Sequence, residues 1–150
     1  MPRIRLFWIV VFLLTSLGGC RKTTQSHDVL VKEAIASMRK SASSLNEVKD
    51  VASAEQTIKV LQQETQTLKS LQKRLGELGA ASSSGRTRVK QHSDDMIAAS
   101  QQMVQASSAV VAKIQAGQFL PELANRLAAA SRDYGQSMAD FSQQAIPLFE

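Results

Sequence analysis

The stretch that decides the fold reads VKQHSDDMIAASQQMVQASSAVVAKI and covers positions 89–114. Val89, Met96, Met103 and Val110 recur in it at intervals of seven residues. Residues at this interval stay within about 20° per repeat of one line along a straight helix. The pattern predicts a long helix with one apolar seam. Two interpretations of the seam stay open at this point, a packed core face and a docking surface for a partner.

Three other segments repeat apolar residues at intervals of three and four, which places each set on one face of a helix. The first set is Val31, Ile35, Met38, Ala42, Leu45 and Val48. The second set is Ile58, Leu61, Thr65, Leu68, Leu71 or Gln72, Leu75 and Leu78. The last set is Leu123, Leu127, Ala130, Tyr134, Met138, Phe141 and Ala145. We therefore expect an all-α fold, an up-down antiparallel bundle of three long helices plus a shorter C-terminal helix.

Several residues mark where the predicted helices begin and end. Ser53 with Gln56 three positions later fits a capping box, so the second helix is expected to begin at Ser53. Gly79 is a suitable stop for it, and the stretch AASSSGR at positions 80–86 is typical of a loop. Pro121 suits the first turn of the last helix, where its missing N–H has no intrahelical partner to lose.

The first 20 residues, MPRIRLFWIVVFLLTSLGGC, have the features of an export signal. Arg3 and Arg5 precede an uncharged segment at positions 6–17, which is shorter than the ~20 residues a membrane-spanning helix needs. Residues 17–20 read LGGC, which resembles the lipobox of bacterial lipoproteins. In that family the cysteine thiol receives a diacylglycerol, and a peptidase cleaves just before the cysteine.

The resemblance implies cleavage between Gly19 and Cys20 and a lipid anchor, of palmitate type or similar, on Cys20. Two or more acyl chains hold a protein stably at a membrane, whereas one does so only marginally. Arg21 stands where an Asp would retain such proteins in the inner membrane, which favours the outer membrane. The alternative is a free, buried cysteine after an uncleaved anchor helix. Because Cys20 is the only cysteine, an intramolecular disulfide is excluded.

The chain therefore divides into a signal peptide at 1–19, a lipidated cysteine with a polar tether at 20–27, and a helical bundle at 28–147. From position 28 to about 111 the layout resembles small helical lipoproteins of the planctomycete type. The matching features are the amphipathic opening at 31–38, the turn DVASA at 50–54 and a helix that ends at Leu78. That family has no established activity, so the resemblance implies a fold and no site.

Few residues point to chemistry. His27 and His92 are the only histidines, and neither has a Glu three residues before it, as a di-metal helical bundle requires. Arg86, Arg88 and Lys90 form a short basic run without an aromatic neighbour, which does not favour nucleic-acid binding. We therefore expect no catalytic residue, no metal and no cofactor, and a protein that is not an enzyme.

The function that the sequence favours is a lipid-anchored helical bundle at the cell envelope, acting as a structural or protein-interaction module. Its expected partners are the membrane, reached through the lipid on the non-cytoplasmic side, and an envelope protein. The alternative is a binding protein that holds a small apolar or amphipathic ligand between its helices, near Met96, Met103, Tyr134 and Phe141.

Overall fold

The computed structural model describes residues 26–150, so the predictions for the signal peptide and for Cys20 lie outside the described residues. Within this range the chain is all helical and has no strand, which confirms the all-α prediction. The elements are α1 His27–Asn46, α2 Val51–Leu78, α3 Ser83–Lys90, α4 Ser93–Gln115, α5 Pro121–Ala145 and a 3-10 turn Ile146–Leu148. The helical body thus extends one residue beyond each end of the predicted range 28–147.

The third predicted helix is two helices, α3 and α4. The break lies at Gln91 and His92, where the backbone N–H of His92 donates to the Val89 carbonyl at 2.9 Å. The Ser93 hydroxyl donates to the Lys90 carbonyl at 2.9 Å, and such local bonds compete with continuation of a helix. The C-terminal helix is not the short one, because α5 has 25 residues and α1 has 20.

The cap of α2 lies one turn earlier than expected. Asp50 is the N-cap, and its carboxylate accepts a hydrogen bond from the Ser53 backbone N–H at 2.8 Å. The Ser53 hydroxyl in turn accepts from the Asp50 N–H at 3.0 Å, so Ser53 closes the capping box instead of opening it. The stretch at 80–86 is also not all loop, because Ser82 caps α3 by accepting from the Gly85 N–H.

Helices α1 and α2 pack in antiparallel register. Glu33, near the start of α1, pairs with Arg74, near the end of α2, at 2.8 Å. At the other end of the pair, the Thr57 hydroxyl donates to the Ser44 carbonyl at 2.9 Å. This hairpin agrees with the rule that short connections join antiparallel neighbours.

Helix α4 packs on α1, and α5 packs on α2, in parallel register. Met38 contacts Ser100, and further along both helices the Val48 carbonyl accepts from Lys113. These two pairs of neighbouring helices are therefore parallel, a pairing that the expected up-down bundle does not specify. The physical reason is α3, whose eight residues pack on α1 and carry the chain across the end of the bundle, so that α4 returns beside α1.

The predicted apolar stripes of α1, α2 and α5 form the core. Tyr134 and Phe141 are its largest side chains and are fully buried. Met138 and Leu78 are partly buried at its edge, and the other apolar stripe residues are buried. Spatially the four long helices follow the order α4, α1, α2, α5, which leaves α4 and α5 as the two outer members.

Candidate functional site

An open groove lies between α4 and α5, because these two antiparallel helices contact each other only sparsely. One end is a cleft of about 420 Å³ near the start of α4, and the other a cleft of about 460 Å³ near its end. The first cleft is lined by Ser93, Met96, Ile97, Ser100, Gln101, Ser142, Ile146 and Phe149. The second is lined by Met103, Val104, Ser107, Ser108, Val111, Ala112, Gln115, Ser131, Gly135 and Met138.

The α4 wall of this groove carries an exposed apolar stripe, which consists of Ile97, Val104 and Val111. Their exposed fractions are 56%, 59% and 47%. They recur at intervals of seven, so they lie on one face of α4. Scattered exposed apolar residues are ordinary, but a contiguous row beside a groove is typical of a binding surface.

The predicted seam lies directly beside this stripe and belongs to the core. Met103 and Val110 are each 2% exposed, Val89 is fully buried on α3, and Met96 is half-buried. The small residues of the seam, Ala99 and Ala106, are buried as well. The question of core or docking surface is therefore settled in favour of the core for the seam itself.

Sequence reasoning missed the exposed stripe, although a signal for it was present. Each of its residues directly follows a seam residue, in the pairs Met96-Ile97, Met103-Val104 and Val110-Val111. One helix cannot bury both members of such pairs on a single neighbour, since adjacent residues point about 100° apart. A doubled heptad pattern thus predicts two packing faces on the helix. In the structure only the seam face is packed against other helices, and the stripe face is exposed.

The exposed face of α4 is electrically neutral. No charged residue occurs at positions 96–112, a run of about 25 Å along the helix. Two of the flanking charges are directed toward α1, whereas Asp94, just before the run, is exposed. Asp95 forms an ion pair with Arg39, and the Lys113 ammonium donates to the Val48 carbonyl at 2.5 Å. An occupant of the groove therefore meets apolar and small polar side chains.

Small residues line both walls of the second cleft. Ser107 lines it from α4, and Ser131 and Gly135 line it from α5. A Cβ atom placed on Gly135 would meet no atom within 4 Å. Helix axes approach to 8–10 Å depending on the side chains at the contact, and small ones permit the closest approach. The small, uncharged lining of the second cleft thus permits close approach of another helix.

Tyr134 and Phe141, which the ligand-binding alternative invoked, lie in the core and line neither cleft. The Tyr134 hydroxyl is 3.4 Å from the Ser37 hydroxyl, and burial raises the pKa of the phenol. Met96 and Met103, the other two residues of that prediction, line the first and the second cleft.

The basic run and the histidines take part in contacts within the chain. Arg86 donates to the Ala81 carbonyl at 2.9 Å, and Arg88 lies 3.6 Å from the Asp28 carboxylate. The bond from Ser26 and the positive charge of Arg88 hold the pKa of Asp28 below its ordinary value. His27 is hydrogen-bonded to the Gly79 carbonyl at 3.0 Å. Among residues 26–150, no three His, Cys, Asp or Glu side chains converge as a metal site.

In the described part of the chain, none of the helices has the length and apolar character needed to cross a membrane. No protein-family model, no curated protein and no solved structure matches this chain. The geometry of the groove is therefore the basis for a functional assignment.

Proposed function

We propose that this protein is a non-enzymatic, lipid-anchored module of the cell envelope that binds another protein through the groove between α4 and α5. The observation that carries the proposal is the exposed stripe of Ile97, Val104 and Val111 along one wall of that groove. A neutral groove with apolar anchors at helical spacing fits the mode in which a helix docks by its apolar face.

Burial of the exposed stripe alone does not supply enough free energy to bind a partner. Full burial of a Val or Ile side chain gives about 1.5–3 kcal/mol, and these three are already about half buried. The stripe then supplies roughly 3 kcal/mol, which is below the association cost of about 4–15 kcal/mol. The partner must therefore also fill the two clefts, where the half-buried Met96 and Met138 offer adaptable apolar contacts.

The anchor part of the proposal is supported by the lipobox-like end of the leader, LGGC at 17–20. The polar segment at 21–26, which precedes α1, reaches at most about 22 Å when extended, so an anchored bundle stays near the lipid surface. We place the bundle on the non-cytoplasmic side, with the outer membrane favoured. In this proposal the four long helices alternate up and down, and the first described helix begins next to the tether.

The test is site-specific photo-crosslinking in intact cells with the full chain. A photoreactive side chain is introduced at Val104, in the stripe, or at Gln102, which is exposed on another face of α4. We expect a discrete protein adduct from Val104 and none from Gln102, because only Val104 faces the groove. Equal labelling from both positions, or none from Val104, would contradict an interaction role for the groove.

A second candidate function is binding of a small apolar ligand in the first cleft. Its volume of about 420 Å³ falls within the range of ligand pockets, about 300–1,000 Å³. Its lining surface is mostly apolar, and polar contacts come from Ser93, Ser100, Gln101 and Ser142. This candidate is tested with a fluorescent fatty acid, whose binding should be lost in Ser142→Trp if the cleft holds it. Unchanged binding in Ser142→Trp would place the ligand elsewhere.

A further inference from the structure

We propose that the partner in the groove is a second copy of this chain. The two copies pack α4 against α4 about a two-fold axis that runs parallel to the helices. This inference rests on the proposed function, because it names the occupant of the same groove. Three observations support a second copy as the occupant. They are the shape of the groove, the area of the face formed by α4 and α5, and the absence of charged residues at positions 96–112 of α4.

The shape of the groove determines the direction of the axis. The groove lies to one side of the exposed stripe, between α4 and α5. Rotation about an axis parallel to the helices places each α4 in the groove of the other copy. Rotation about a perpendicular axis would instead stack α4 on α4 and α5 on α5, and both grooves would stay unfilled. Mutual filling therefore requires a parallel α4 pair, with Val104 beside Val104 of the second copy.

The area suits a stable dimer. Helix α4 has 23 residues and is about 34 Å long, and two adjacent helices are about 20 Å wide. The face formed by α4 and α5 thus offers roughly 700 Å² per copy, close to the ~800 Å² per partner of standard interfaces. A partner that covered the stripe alone would bury much less.

The charge pattern is compatible with self-association. In a parallel two-fold pair, residues near the axis meet their own copies, so a charged residue there would face a like charge. The α4 face has no charge at positions 96–112, and the flanking Asp95 and Lys113 contact α1. The arrangement also places both α1 N-termini at the same end, as two chains anchored in one membrane require.

Disulfide mapping in the full chain tests this dimer. Single variants Ile97→Cys, Val104→Cys and Gln102→Cys are oxidised in intact cells, and linked peptides are identified by mass spectrometry, with linkages through Cys20 scored separately. A disulfide needs Cα atoms about 4.4–6.8 Å apart. We expect 97–97 and 104–104 linkages in yields roughly tenfold above any 102–102 linkage, because Gln102 faces away from the groove.

A 104–104 linkage without a 97–97 linkage would indicate an antiparallel pair and would overturn the parallel dimer. A 102–102 linkage as abundant as 104–104 would show unspecific collision and would also overturn it. If Val104→Cys links to a different protein and not to itself, the second copy is excluded while the groove remains an interaction site. Absence of any linkage from Val104, together with no photo-adduct there, removes both the dimer and the proposed function.

Discussion

Met103 and Val104 are adjacent on α4, yet 2% of Met103 is exposed against 59% of Val104. The first residue belongs to the packed seam, and the second to the stripe that borders the groove. A single turn of one helix thus contributes to the core and to the candidate interaction surface. This division allows stability and binding to be altered separately by substitutions on the same helix.

The packing of the seam is tested by Met103→Asp. The variant would bury a carboxylate without a partner, at a cost of several kcal/mol in the free energy of unfolding. That loss is a large part of the 5–15 kcal/mol typical of a whole domain. Gln102→Asp adds the same charge on an exposed face and should change stability by under about 0.5 kcal/mol. Equal urea midpoints for the two variants would show that the seam is not packed.

The apolar stripes of α1, α2 and α5 could be predicted from sequence because each helix buries one face. A 3.6-residue period records that burial directly, as Leu61, Leu68 and Leu127 show. The break after Lys90 could not be predicted, because no Gly or Pro marks it and local bonds of Ser93 produce it. The parallel placement of α4 beside α1 depends on contacts distant in sequence, and no local pattern encodes such contacts.

The candidate site was only half predictable for the same reason. The heptad pattern points to Met96 and Met103 but not to their neighbours Ile97 and Val104, since it predicts one apolar line only. Which of two adjacent lines faces the core depends on where α5 lies. The sparse contact between α4 and α5 is a property of the assembled bundle, and it creates the groove.

An ion pair between a buried carboxylate and an exposed lysine offers a second test of the core. Glu64 is 5% exposed, and its carboxylate lies 2.6 Å from the Lys40 ammonium. Lys40→Met leaves the buried carboxylate without this partner and should lower the free energy of unfolding by about 1–3 kcal/mol. Combining Lys40→Met with Glu64→Gln should recover part of the loss, since no unpaired charge then remains buried. Urea denaturation of both variants measures the effect.

The control for this pair is Lys73→Met. Lys73 and Glu77 are 3.9 Å apart and largely exposed, so their interaction contributes little, under about 0.5 kcal/mol. If Lys73→Met is as destabilising as Lys40→Met, the burial of Glu64 is not the cause of the first effect.

The buried phenol of Tyr134 predicts a loss of stability in alkaline solution. Burial raises its pKa above the ordinary value of 10.0, so the folded state binds the phenol proton more tightly than the unfolded state. The resulting stabilisation is complete below pH 10 and is lost as pH rises through the folded-state pKa. Tyr134→Phe removes this group, so its urea midpoint should fall less between about pH 8 and pH 11. Parallel declines of the two urea midpoints would contradict the assignment to Tyr134.

The lipid anchor is tested at Cys20, which lies outside the described residues. The resemblance of LGGC to a lipobox implies that Cys20→Ala prevents acylation and leaves an uncleaved or wrongly cleaved precursor. Intact mass spectrometry of membrane-extracted protein reports both changes. A wild-type mass without an addition of diacylglycerol size on Cys20 would refute the lipoprotein proposal and leave the groove unaffected.

Two glycines predict opposite effects of the same substitution. Gly135 lies inside α5, and an added Cβ would meet no atom within 4 Å, so Gly135→Ala should stabilise the protein by about 0.5–1 kcal/mol. Gly117 follows α4 with a φ of +70°, and an added Cβ would also be in open space there. Since L-residues are strained at this φ, Gly117→Ala should destabilise by about 1–2 kcal/mol. Thermal melts compare the two, and a shift of equal sign would show that backbone conformation does not decide the outcome.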